Sequence, residues 1–304
     1  MGEYVFDYAW ANAYHHHGIA YYPKLVSAVP FTPSSGPRTR NKNAIDVNQS
    51  ASFLDKVYEK SDTYNASSWH LLFPDTSVVD AFADLNLLHR LGVQYHWINC
   101  GFETFEDFLA TLNSRKRKMI RRERSQVKAQ NIETETLFGQ DISQEIWEFF
   151  DRLYQRTYAK RNGSRGYLNS KFFMQIGRSM SDQIAMAVAR LSGQPIGCAL
   201  YFFDDETLYG RYWGSVKEYN YLHFELCYYS GIELSIALGL QRFDAGAQGE
   251  HKIIRGFKPR KTHSLHWIKQ PDFRDAIKHF IREEGVAIDN HIKEATKLLP
   301  FRQT

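Results

Sequence analysis

The chain has 304 residues, 43% of them hydrophobic and 15% aromatic, which is material for one large core or two ordinary ones. No apolar run approaches the ~20 residues that cross a bilayer, no basic-then-apolar leader opens the sequence, and the mean hydropathy is negative. These features exclude a helical membrane bundle and lead to the expectation of a cytoplasmic protein with no membrane span. The net charge of +4 hides a local imbalance: residues 115–124 hold seven basic side chains against the single acid Glu123, so the remainder is net negative.

In chain order, residues 9–17 read as a short aromatic-rich helix and 24–32 as a strand stopped by Pro30 and Pro33. Residues 52–58 suggest helix and 68–73 strand. Asp75, Thr76 and Ser77 then open a helix predicted over 78–91, with Val79, Phe82, Leu85, Leu88 and Leu91 at helical spacing and Gly92 as its stop. After a strand over 94–100, Thr104 caps one long helix from Phe105 to about Val127, with Glu106 and Asp107 in the first turn. A strand over 132–137 and amphipathic helices over 142–158 and 170–180 follow. Three antiparallel strands are predicted over 184–191, 195–203 and 207–214, then a helix over 222–238. Residues 241–244 and 262–268 read as strands, and 273 onward as helix.

The order helix, helix, three-stranded meander, helix, strand, crossover, strand resembles the acyltransferase fold of the GNAT superfamily, and the first half carries a shorter version of it. The expected fold class is α/β (α+β): tandem GNAT-like acyltransferase domains with mixed, mostly antiparallel sheets, the first N-terminally incomplete. The expected division is an N-terminal domain at 1–128, ending in the basic helix, and a C-terminal domain carrying the site at 129–304.

The densest chemistry lies in residues 241–258, where Asp244, Gln248, Glu250, His251, Lys252, Arg255 and Lys258 crowd around Gly246, Gly249 and Gly256. The stretch is too polar for a core and too patterned for a linker. Asp244, at the carboxyl end of a strand, and Glu225, in the first turn of a helix, are candidate bases for deprotonating an amine. Glu250 and His251 form a second acid/base candidate, and Tyr228, one turn beyond Glu225, could protonate a leaving group. Gln248 could orient a carbonyl. Lys252, Arg255 and Lys258 could grip a phosphate or carboxylate. Alternation puts Arg211 and Trp213 on one face of a strand, opposite Tyr212 and Gly214. Plain structural roles compete throughout: Asp244 as a turn cap, Glu225 as a helix cap, the aromatic residues as core, the basic run as a solvated face. Cys100, Cys198 and Cys227 suit reduced, packed thiols. His15, His16 and His17 point about 100° apart on a helix, so no metal site is expected.

Phe243-Asp244-Ala245-Gly246, with Gly256-Phe257-Lys258 downstream, resembles the Asp-x-Gly … Phe-Lys signature of the Fem-like peptidoglycan aminoacyltransferases, which have two GNAT-type domains. The stretch from Asp244 to Lys252, together with Gly210-Arg211-Tyr212-Trp213-Gly214, His223-Phe224-Glu225 and the basic run, is similar to the Fem/AB-like N-acyltransferases of bacteria. The resemblance implies transfer of an acyl or aminoacyl group to a primary amine by direct attack. It implies acyl-coenzyme A (acyl-CoA) as co-substrate and no tightly bound cofactor, and it puts Lys258 on a phosphorylated substrate. Aminoacyl-tRNA, met by the basic helix, is the alternative donor, and a non-catalytic module binding a cell-wall precursor is the alternative role. The superfamily's glycine-rich pyrophosphate loop has residues 215–222 as its counterpart, and they contain no glycine.

Overall fold

The computed structural model describes residues 4–38, 47–247 and 249–302. Along the chain come α1 (Tyr8–His16), β1 (Leu25–Ser27), α2 (Val47–Thr63), β2 (Ser68–Leu72), α3 (Thr76–Ala81) and β3 (Leu88–Ile98). Next are α4 (Phe105–Thr111), α5 (Ser114–Ala129), β4 (Ile132–Phe138), α6 (Gln144–Asn162), α7 (Ser170–Ser179), β5 (Ile184–Leu191), β6 (Gln194–Phe203) and β7 (Thr207–Ser215). Then α8 (Leu222–Phe224) runs through a π-helical turn, Glu225–Tyr229, into α9 (Ser230–Ala237). The chain continues with β8 (Arg242–Asp244), a 3-10 turn (Glu250–Arg255), β9 (Lys258–Ile268) and α10 (Pro271–Lys297).

Two predicted helices differ. The one expected to reach residue 91 stops at Ala81, although Asp75 caps it as read, its carboxylate accepting from the Val78 amide at 3.0 Å. Asn86 takes a left-handed backbone (φ 52), which ends helical pitch, and the leucines beyond it enter β3. The long helix after Thr104 is two. Thr104 and Asp107 form the capping box, but Leu112 is extended and bridges Phe301, while the Asn113 amide donates to the Pro300 carbonyl at 2.8 Å. Asn113 then caps α5 with its side chain on the Lys116 amide.

The chain divides into two compact units, Met1–Gln94 with Pro259–Lys297, and Tyr95–Lys258 with Leu298–Thr304. This differs from a division at 128/129. The basic helix α5 buries Ile120, Glu123 and Val127, and it packs on the π-helical turn and the 3-10 turn of the second unit.

In the first unit the strand order is β1-β2-β9-β3, with β1 parallel and β9 antiparallel to β2. One side packs Trp69, Leu71 and Leu265 against Leu54 and Val57 of α2 and Phe82. Another cluster joins Trp10 and Tyr14 of α1 to Ile277 and Ile281 of α10. A polar line is buried here: His70 and His266 lie opposite in register with Nδ1 atoms 2.7 Å apart. Ser68 and Ser264 flank them, and Tyr21 and Lys24 hold Asp7 beside His70.

In the second unit the order is β3-β8-β7-β6-β5-β4, an antiparallel meander from β4 to β7 with β8 parallel to β7. The mixed, mostly antiparallel α/β expectation holds. α6 and α7 cover one face with Trp147, Phe150, Leu153 and Phe173 over Met186, Val188 and Leu200. A bulge breaks β6–β7: Leu200 pairs with Tyr212 and Tyr201 with Gly210, leaving Arg211 as the extra residue.

Candidate functional site

The bulge at Arg211, the π-helical turn and the loop after β8 converge on a small cleft in the second unit. Its volume is about 80 Å³, and Arg211, Trp213, His223, Cys227, Tyr228 and Ala245 are on its walls. Tyr212 lines the cleft and also packs against the core under α6, a Cβ on Gly214 would meet Leu153, and Trp213 meets His223 at 4.6 Å between tilted rings. Arg211 lies over the Tyr212 ring at 5.3 Å.

Tyr228 Oη lies 2.7 Å from His251 Nε2 at the cleft. Burial raises the Tyr228 phenol above its ordinary value, so it stays protonated at neutral pH. His251 is exposed by surface area, but the partial desolvation of its ring, helped by the nearby Arg255 and Lys252 charges, lowers it, so the neutral imidazole dominates at pH 7. His223, 5.3 Å from the Tyr228 ring, is pushed down to about 4, first by burial and then by His251. The pair is therefore a protonated phenol hydrogen-bonded to a neutral imidazole.

The remaining sequence candidates sort by environment. Arg255 is 3% exposed: its guanidinium makes a two-pronged contact with Glu123 at 2.7 and 2.9 Å, donates to Tyr229 Oη and the His251 carbonyl, and stacks on Phe224 at 3.6 Å. Glu123 also accepts from Tyr229. Arg255 is thus committed to an internal ion pair and does not serve as the expected anion grip. It fixes the turn that carries His251.

Glu225 is likewise taken. Arg124 binds it at 2.9 Å and reaches Glu233 with its other nitrogen at 2.6 Å. Burial raises Glu225 and Arg124 opposes the rise. Its carboxylate belongs to a separate groove with Lys128, Glu133 and Thr134, apart from the Tyr228–His251 pair.

Asp244 ends β8 fully buried, pairs in register with His96 and Tyr209, and accepts from the Gly246 amide at 2.9 Å. Its turn-capping reading is the one seen. Lys252 is 1% exposed and donates to the Gly246 carbonyl at 2.6 Å, so it faces inward and not toward a ligand in solvent. Glu250 is exposed on the 3-10 turn. Lys258 is half-buried over the Phe301 ring at 5.3 Å. Gln248 lies outside the described residues.

Sequence reasoning missed Glu123, Arg124, Tyr229 and His223. Glu123 had a signal: Ile120, Glu123 and Val127 share one helical face, and a lone acid on an apolar stripe within a basic run requires a buried cation. Arg124 leaves that run to hold Glu225 and Glu233, and Arg121 pairs with Glu106, while Arg115, Lys118 and Arg122 are exposed. Among the described residues no group of three or more His, Cys, Asp or Glu is arranged to hold a metal ion, and no helix is long and apolar enough to cross a membrane.

The model of the FemAB-like family, described as peptidoglycan biosynthesis/recognition, matches residues 1–303, and the chain belongs to that family. Among solved structures it is similar to FemX, with a TM-score of 0.51 and 12% identity over 83% of this chain and 85% of that one. It is also similar to L-PGS from Bacillus licheniformis, with a TM-score of 0.50 and 11% identity over 75% of this chain and 77% of that one. At such identities the likeness is one of fold. No curated protein sequence matches the chain.

Proposed function

We propose that the chain is an N-acyltransferase that moves an acyl or aminoacyl group from an activated donor to a primary amine, with the second unit as its GNAT-like catalytic fold and the first as a partner of related fold. The observation that carries this reading is the Tyr228–His251 hydrogen bond at the edge of the cleft, with the phenol protonated and the imidazole neutral. The amine nitrogen attacks the donor carbonyl carbon, and the carbon–sulfur or carbon–oxygen bond to the leaving group breaks. The proton shed by the nitrogen passes through Tyr228 to His251, and a proton of the same pair reaches the leaving atom, so the pair ends as it began. Arg211 and Trp213 line the wall where the carbonyl would sit. Lys258, half-buried over the Phe301 ring, remains the candidate contact for an anionic substrate.

Acyl-CoA is the favoured donor, used as a co-substrate with no resident cofactor. Exposed Arg115, Lys118 and Arg122 support a second reading in which aminoacyl-tRNA is the donor, because phosphates attract such a cationic face. The test is transfer of label from acetyl-CoA and from aminoacyl-tRNA to a panel of amines that includes lysine and a lysine-containing muropeptide. Transfer that is lost in Tyr228→Phe and His251→Ala supports the reading. Binding of muropeptide by a parent chain inactive with both donors would instead favour the non-catalytic recognition module.

A further inference from the structure

Gly246 is held at both ends. Its amide donates to the buried Asp244 carboxylate at 2.9 Å, and its carbonyl accepts from the buried Lys252 ammonium at 2.6 Å. Its φ of +88° is open to glycine and strained for other residues. The neighbouring Ala245 forms part of the cleft wall, and the backbone there crosses close over Gly210 of β7, whose Cβ position would lie 3.5 Å from the Ala245 Cα. Five residues on, the same segment presents His251 to Tyr228.

A lysine ammonium out of solvent is costly unless something specific holds it. Lys252 has that carbonyl and the attraction of Asp244, yet burial still outweighs them and pulls it down to about 8. Nothing about packing alone calls for a charged group here, since a methionine of similar length would fill the space without the desolvation cost. The charge is retained where it closes a ring running from Asp244 through Gly246 to Lys252.

We infer that Lys252 is a positioning residue: with Asp244 it grips the two polar ends of Gly246 and so holds the Ala245 wall and the His251 turn in register with Tyr228. The inference rests on the transferase reading for its catalytic meaning and on the hydrogen bonds alone for its structural one. Lys252 touches no substrate. It acts through the loop.

The experiment compares Lys252→Met and Lys252→Arg with the parent chain by two readouts. Hydrogen exchange at the Gly246 amide is expected to speed at least about tenfold in Lys252→Met, with β5 and β6 amides unchanged, because local opening is freed while the core stays closed. In the transfer assay Lys252→Met is expected to lose about tenfold or more in kcat with little change in the donor KM, the pattern of a misplaced catalytic group. Lys252→Arg recovers part of that loss. The parent's kcat should decline as pH rises through about 8, where the ammonium is lost, and this decline should be absent in Lys252→Arg. A Gly246 amide as protected in Lys252→Met as in the parent overturns the inference. So does a fall in kcat without faster exchange, which would make Lys252 a direct participant. A parent inactive with every donor defeats the transferase reading, and the exchange result then decides the clamp by itself. If Lys252→Met does not fold, the Lys252→Arg pH profile decides.

Discussion

Replacing Glu123 tests the claim that Arg255 is a structural cation. Glu123 is 6% and Arg255 3% exposed, and the carboxylate accepts from Nη2 and Nε of the guanidinium as well as from the Tyr229 hydroxyl. Glu123→Leu leaves a buried guanidinium with only Tyr229 Oη, the His251 carbonyl and the Phe224 ring. Breaking a buried pair from one side costs about 3–5 kcal/mol, far more than the loss of the Coulomb attraction in water. With a urea dependence of about 3 kcal/mol per molar, the midpoint of the second unit should fall by about 1–1.7 M. Glu123→Leu with Arg255→Met together removes the stranded charge and should recover most of the loss. The exposed Arg121–Glu106 pair is the control, since removing it should cost less than about 1 kcal/mol. Urea melts followed by circular dichroism read all three. A single variant within about 1 kcal/mol of the parent, or a double variant as unstable as the single, would refute the reasoning.

Four further outcomes follow from the geometry. Tyr228→Phe should lower kcat by about 10²-fold or more. The parent's rate should climb with pH through a midpoint below 6.5 and then level off until Lys252 deprotonates, because the active imidazole is the neutral form and its pKa is lowered; a rise centred at or above 6.5 in a pH-rate profile would contradict this. Gly249→Ala places a Cβ 2.6 Å from His251 Cε1 at a φ of +114°, so it should displace His251 and abolish transfer while the chain stays folded by circular dichroism. His70 and His266 are neutral when folded, their pKa values held well below 6.5 by burial, with Lys24 and Arg90 adding to it for His70, and His70 and Arg90 for His266. The unfolded chain binds more protons below about 6.5, so stability of the first unit is lost as pH falls through that value and is unaffected by raising pH above it. Thermal melts at pH 7.5 and 5 should show the drop, and His266→Gln should reduce it.

The meander and the helices around it were legible because period-2 and period-3.6 patterns ran cleanly between turn residues, as from Ile184 to Ser215. One break was hidden by partners far along the chain. Pro300 and Phe301 pull Leu112 and Asn113 out of helix, and no local signal announces a residue nearly 190 positions away. Tyr228 and His251 were singled out from their types and spacing, and their contact adds the phenol–imidazole bond that spacing cannot give. Arg255, Lys252 and Glu225 show the opposite limit. A charged residue in a polar stretch reads the same from sequence whether it faces a ligand or an internal counter-ion, and only burial separates the two cases.

The widened helical turn from Glu225 to Tyr229 sets the angular phase of everything attached to it. Its residues make three contacts with two segments at once: Glu225 to Arg124 and Tyr229 to Glu123 on α5, and Tyr228 to His251 on the 3-10 turn. Deleting a single residue there would restore ordinary pitch and swing each later side chain by about 100°. The chain would keep its helix and lose these handshakes together, so the spare residue works as the timing mark that lets one rod mesh with two neighbours.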